Sequence, residues 1–193
     1  MLRFSQYILH EDITIIGDVG DRYDEKEIAY YGEKLFESSP ENKIYSDEKY
    51  DVHFSPIEDK FSEYPHAVKI YDKGGTLAGY TKLHAVNKND LSDGLQIRSS
   101  EGAREHKGMF SRTVKGIVDV AGHKLFSDEM HTEYSKGAWI REIMNGREAH
   151  VYNKFVPTGE VVNKDNIDSM VGKIWNDDYK IRLAFHPPVK EKS

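Results

Sequence analysis

Glu101-Gly-Ala-Arg-Glu-His-Lys-Gly-Met-Phe110 is the stretch on which the fold turns. Ahead of it, Asp93-Gly94 opens Gly94-Leu-Gln-Ile-Arg-Ser99, a short run that reads as a strand. Behind it, Phe110, Val114, Ile117, Val118 and Ala121 fall at helical spacing and form one apolar stripe, which Gly122 ends. A glycine-bearing loop that hands a strand to a helix leaves backbone N–H groups and the positive end of a helix dipole facing outward, and that suits an anion. The plainer alternative is a solvated, charged turn that caps an ordinary helix.

The flanking sequence supplies the sheet into which that strand fits. His66–Asp72 and Thr76–Val86 are strand-like runs joined by Lys73-Gly74-Gly75, where glycine supplies the positive φ of a tight hairpin turn. After the helix, His123–Glu129 is a short strand candidate, and Thr132–Met144 is a second helix with Trp139, Ile140, Ile143 and Met144 on its buried side, stopped by Asn145-Gly146. Glu148–Val156 reads as a strand before a turn at Pro157-Thr158-Gly159. A helix over Asn166–Trp175 and a strand over Tyr179–His186 complete the series. Residues 1–17 are rich in aromatic and β-branched side chains and read as an arm or strand. Asp24–Ser39 carries Ile28, Tyr31 and Leu35 on one helical face. Glu41–Pro65 shows no period and reads as irregular. The order predicts an α+β protein: a mixed, mostly antiparallel sheet flanked by helices, in one domain over residues 21–186, with an arm over 1–20 and a tail over 187–193.

Composition removes several function classes. The formal net charge is −6 and no Lys/Arg cluster of five or more occurs, so a nucleic-acid footprint or an anionic membrane surface is disfavoured. Cysteine is absent, which removes disulfides, thiol nucleophiles and thiolate metal sites together. No run approaches the roughly 18 apolar residues of a membrane helix, and no basic segment leads into a long apolar one at the N-terminus, so the chain is expected to be neither exported nor membrane-spanning. His123, Asp128, Glu129 and His131 are ligand types whose spacing fits no metal motif, and no metal is expected. Twelve Tyr and eight Phe exceed what a core of this size needs; because partner surfaces favour Tyr, a protein partner is expected.

The order of elements over residues 66–156 resembles the GNAT superfamily of acyl-CoA-dependent N-acetyltransferases, in which a Q/R-x-x-G-x-G/A loop before a helix wraps the CoA pyrophosphate. The matching positions are Glu105-His-Lys-Gly108-Met-Phe110: Gly108 agrees, whereas Glu105 and Phe110 depart from the pattern. The family's N-x-x-A-x-x-x-Y helix is similar to Ser135-Lys-Gly-Ala138-Trp-Ile-Arg-Glu142, with Glu142 where the family's Tyr protonates the departing thiolate. The resemblance implies acetyl-CoA bound by the amides of His106, Lys107, Gly108, Met109 and Phe110, with Arg104 and Lys107 adding charge. It implies Tyr134 as a substitute acid, and a base among His84, Glu101 and Glu129. Ser127-Asp128 and Ser135–Trp139 are similar to diverged GNAT-like proteins of phages. Met1–Glu11 resembles the leader of T4-type phage internal head proteins, with Leu9-His10-Glu11 as the cleavage pattern. That second resemblance implies a non-catalytic protein of the phage virion or the host cytoplasm.

Overall fold

The computed structural model describes residues 42–56, 66–87, 90–103, 105–128, 133–175 and 180–189, together with Lys26 and Ile28. The expected leader over 1–20, most of the helix over 24–39, and Arg104, Glu129 and His131 lie outside the described residues. The described chain falls into two compact units, one running to Asp128 with His186–189 appended, the other spanning 133–Phe185.

The first unit is a ladder of strands in chain order. β1 (Asn42–Ser46), β2 (Tyr50–Pro56), β3 (His66–Asp72), β4 (Leu77–Asn87) and β5 (Asp90–Gly102) pair antiparallel, each with the next. The β3–β4 hairpin turns as the glycines predict, with Gly75 at φ 86. β1 and β2 replace the irregular structure expected between Glu41 and Pro56. The Asp47 carboxylate accepts the amides of Lys49 and Tyr50 at 2.9 and 2.8 Å and closes their turn, a local signal that no hydrophobic period announces. β6 (Leu125–Phe126) then pairs parallel to β5. Gly94, at φ 115, permits this: a Cβ there would stand 2.8 Å from Phe126 Cε2 and 3.0 Å from the Lys124 carbonyl oxygen.

Between β5 and β6 lies α1 (Met109–Val114), which runs on into a wider turn over Lys115–Val120, where the Ala121 N–H reaches the Gly116 carbonyl at 2.9 Å. Val114, Ile117 and Val118 are fully buried, as the stripe predicts. Met109, rather than Phe110, makes the first buried anchor. The reason is room: Gly79 on β4 and Gly102 on β5 stand opposite each other, and Met109 Cγ lies 3.2 and 3.1 Å from where their Cβ atoms would be. Behind it, Thr81 Oγ1 meets Ser100 Oγ at 3.0 Å and Thr113 Oγ1 at 3.1 Å, so the polar atoms under the helix satisfy one another. The opposite face of the sheet carries Ala67, Leu77, Tyr80 and Ala103, packed with Ile28.

In the second unit α2 (Glu133–Met144) buries Trp139, whose ring stacks on Phe185 at 4.4 Å. β7 (Ala149–Asn153) pairs antiparallel with both β8 (Val156–Val162) and β9 (Ile181–Phe185), and α3 (Ile167–Ile174) joins β8 to β9. The turn expected at Pro157-Thr158-Gly159 is a correction: those residues lie inside β8, and the chain reverses at Lys154, which holds φ 56. Pro157 is harmless there because β8 is outermost and needs no second partner for its missing N–H. The fold is therefore α+β, with a mostly antiparallel sheet and few helices.

Gly79→Ala places a methyl group 2.8 Å from the Glu101 carbonyl oxygen and 3.2 Å from the Gly102 Cα. It is expected to lower unfolding free energy by about 1–3 kcal/mol. Gly172→Ala in α3, with nothing within 4 Å of its Cβ, is expected to raise it by about 0.5–1 kcal/mol. Urea unfolding of both variants checks the pair.

Candidate functional site

β5 has a neighbour on each side but not along its whole length. Among the described residues it pairs with β6 only at Leu95 and Gln96, opposite Leu125 and Phe126, then continues to Gly102 against β4. Past that point side chains span the gap. Gln96 Nε2 approaches the Ser127 carbonyl at 3.5 Å, and the Arg98 guanidinium pairs with the Asp128 carboxylate at 3.4 Å. Arg98 is also the extra residue of a bulge: Lys82 faces Ser99 and Leu83 faces Ile97, which leaves Arg98 without an opposite number. Bulges re-aim side chains and end pairing, and here one sits where two parallel strands part.

The strand delivers the chain into the loop. The Ala103 N–H binds the Ala78 carbonyl at 2.9 Å, and the His106 N–H binds the Ala103 carbonyl at 3.0 Å, so the His106 amide is used inside the turn. Gly108 then takes φ 76, ψ 21 as the residue before α1, a left-handed conformation that costs a residue with a Cβ about 1–2 kcal/mol. Arg112, one turn into the helix, folds back: its Nη1 donates to the carbonyls of Lys107 at 2.9 Å and Gly108 at 3.2 Å. In a trans peptide the C=O and the N–H point in opposite directions. With both carbonyls turned to Arg112, the amides of Gly108 and Met109 point away from it, side by side. A left-handed residue followed by a right-handed one is the backbone form that gathers successive N–H groups around an anion.

A second set of contacts fixes Arg112 itself. Its Nε donates to Asp47 Oδ2 at 2.8 Å, and its guanidinium lies 4.1 Å from the centre of the Tyr50 ring, whose hydroxyl is 2.8 Å from His106 Nδ1. Burial pushes the Asp47 carboxyl up, but the Lys49 and Tyr50 amides and the Arg112 guanidinium more than reverse that, and it stays below its ordinary range. The Arg112 charge is thus neutralised within the protein and braces the loop. Lys107 is exposed beside it.

Glu101 lies on the sheet face turned away from α1, opposite Tyr80. Ser99 lies on the same face, opposite Lys82, and its hydroxyl is buried and without a hydrogen-bond partner among the described residues. Desolvation raises the Glu101 carboxyl above its ordinary range, and the charge of Lys82 partly offsets it. His84 is on this face as well, opposite Gln96, but four residues along β4 from Tyr80, about 13 Å at strand rise. The fold therefore gathers Glu101, Ser99 and Lys82, and leaves His84 apart. His123 stands near the ring of Phe54, at 6.1 Å, and no cluster of three metal-ligating side chains occurs among the described residues. Tyr134 is 60% exposed in the first turn of α2, within the other unit. Glu142 is buried in an ion pair with Arg147 at 3.1 Å. No described helix is long and apolar enough to cross a membrane.

Sequence reading missed Arg112, Asp47 and Tyr50, because nothing local links residues 65 positions apart. Ser99 was within its reach: Ser99 and Glu101, two apart on a strand, must share a face.

No family model and no curated protein matches the chain. Among solved structures, it is similar to the N-terminal domain of the ribosomal-protein-alanine acetyltransferase from Clostridium acetobutylicum ATCC 824, at 14% identity and a TM-score of 0.30, over 72% of this chain and 91% of that one. A superposition that loose carries no argument.

Asp47 is expected to couple stability to acid. A carboxyl held below its ordinary value of 3.8 contributes stability that is present above that value and is lost as the pH falls through the folded value. Asp47→Asn is expected to be less stable than the wild type at pH 6 and to converge with it only below pH 3.8, while the pH falls through the lowered folded value, as read from denaturant midpoints across that range.

Proposed function

We propose that the chain is an acyltransferase of GNAT type that takes an acyl-CoA thioester and an amine. The observation that carries this reading is the parting of β5 from β6 after Gln96, beside the bulge at Arg98, with the Gly108 loop at the far end of the same strand. One strand thereby connects a place for an acyl chain to a place for a pyrophosphate. The amides of Gly108 and Met109 would face the phosphates, with the exposed Lys107 adding positive charge. Two departures from the family pattern become intelligible in that light. Phe110 follows Met109 into the helix, and Glu105 is exposed at the turn, so neither disturbs the paired amides.

The step is direct attack. The amine nitrogen forms a bond to the thioester carbonyl carbon, the C–S bond breaks, and CoA leaves as a thiolate that collects a proton from solvent. Glu101 takes the proton that the amine loses. Its burial suits that role, because a carboxyl raised above its ordinary range by desolvation is a stronger base than an exposed one. Tyr134, the expected acid, belongs to the other unit and takes no part in the step as written.

A second reading keeps the ligand and removes the reaction. Glu142 sits in a buried ion pair where the family places its acid, which favours a chain that binds CoA without turnover and acts through a protein partner. The phage setting, in a virion or in the host cytoplasm, is motivated by Met1–Glu11, outside the described residues.

Titration calorimetry with acetyl-CoA tests the main reading; absence of heat at high micromolar ligand would overturn it. Given binding, Glu101→Gln is expected to slow acetylation of an amine by about 10²–10⁴-fold without weakening CoA affinity. Binding with no turnover in the wild type, across a panel of amines and amino-terminal peptides, selects the second reading.

A further inference from the structure

The Ser99 hydroxyl has no hydrogen-bond partner among the described residues, and its oxygen is shielded from solvent. Its neighbour Ser100, facing the helix, is tied to Thr81 at 3.0 Å. Two adjacent serines on one strand thus divide, one satisfied and one not. A buried hydroxyl without a partner destabilises the fold, and none of the described residues supplies the group that would satisfy this one.

Its place says what that group is. Ser99 follows the bulge residue Arg98 and lies on the part of β5 that has left β6, on the face shared with Glu101. Two residues along a strand is about 7 Å. An amine beside a carboxylate, in near-attack contact with a carbonyl carbon at about 3–3.5 Å, puts the carbonyl oxygen within reach of a hydroxyl at that separation. A lone O–H donor next to a base is the arrangement that an acyl transfer needs where negative charge develops on oxygen.

We propose that Ser99 donates a hydrogen bond to the carbonyl oxygen of the acyl thioester, and that it is a catalytic residue of the acyl transfer. The inference rests on the acyl-CoA reading and adds to it the group that meets the acyl carbonyl. Arg98, held by Asp128, turns away from this role and fixes the strand on which Ser99 stands.

The test compares acetyl-CoA with CoA, which lacks the thioester carbonyl, on the wild-type full chain and on Ser99→Ala. The wild type is expected to bind acetyl-CoA about fivefold more tightly than CoA. Ser99→Ala is expected to lose that preference, keep its affinity for CoA, and melt at the same temperature or higher, since an unpartnered hydroxyl is removed. The infrared stretch of the acetyl-CoA carbonyl, isotope-labelled, should move to lower frequency on binding the wild type and return toward its solution value in Ser99→Ala. A wild type that binds both ligands with no carbonyl shift, or a Ser99→Ala variant that keeps the shift and the preference, overturns the role of Ser99 while leaving the acyl-CoA site in place. A wild type that binds neither ligand overturns the site and this inference together.

Discussion

The first unit depends on how closely β4 and β5 approach where Gly79 faces Gly102. With no side chain on either residue at that level, Met109 settles onto the strand pair and the helix behind it packs over β3 and β4. The height of Met109 fixes where α1 begins, and the start of α1 fixes the left-handed turn at Gly108. A larger residue at 79 or 102 would lift the helix and open the hydroxyl set of Thr81, Ser100 and Thr113 beneath it. Close packing therefore sets the geometry of a loop that itself contributes little burial.

From that contact the loop is braced twice. Arg112 turns the carbonyls of Lys107 and Gly108 inward, and Asp47 and Tyr50 hold Arg112 from the β1–β2 turn. A cation that in isolation would suit a phosphate is spent on an internal carboxylate, and what faces outward is backbone. Donors fixed in this way need no rearrangement to meet an anion, which is the advantage of preorganisation over mobile surface charge. The other half of the candidate site follows the same logic. Beyond the two pairs that join β5 to β6, the bulge at Arg98 and the Arg98–Asp128 ion pair put side-chain bridging in the place of backbone pairing.

Much of this was legible in the residues, and the exceptions have physical causes. The β3–β4 hairpin and the helices at 109–120 and 133–144 stood out because glycine turns and apolar spacing are local signals. β1 did not, since Asn42–Ser46 is mostly exposed and carries no period; β2 does alternate, with Tyr50, Val52 and Phe54 between Asp51, His53 and Ser55, a short signal set amid polar neighbours and a closing Pro56. Pro157 suggested a turn, although an outermost strand tolerates proline and a left-handed Lys154 can reverse the chain without glycine. Phe110 suggested the helix anchor by size, while the two glycines beneath the helix selected the slimmer Met109. In the candidate site, Gly108 and Glu101 could be singled out from sequence. The Arg112 brace could not, because it joins residues that only the folded sheet brings together.

The central claim is that the paired amides of Gly108 and Met109 receive the pyrophosphate of a CoA ester. Backbone amide NMR on the ¹⁵N-labelled full chain tests it directly, by titration with CoA. The account predicts that the Gly108 and Met109 resonances shift the most and saturate with the ligand, while those of Gly75, in the β3–β4 turn, and Gly159, in β8, stay in place. Saturable binding that leaves Gly108 and Met109 unmoved would contradict it.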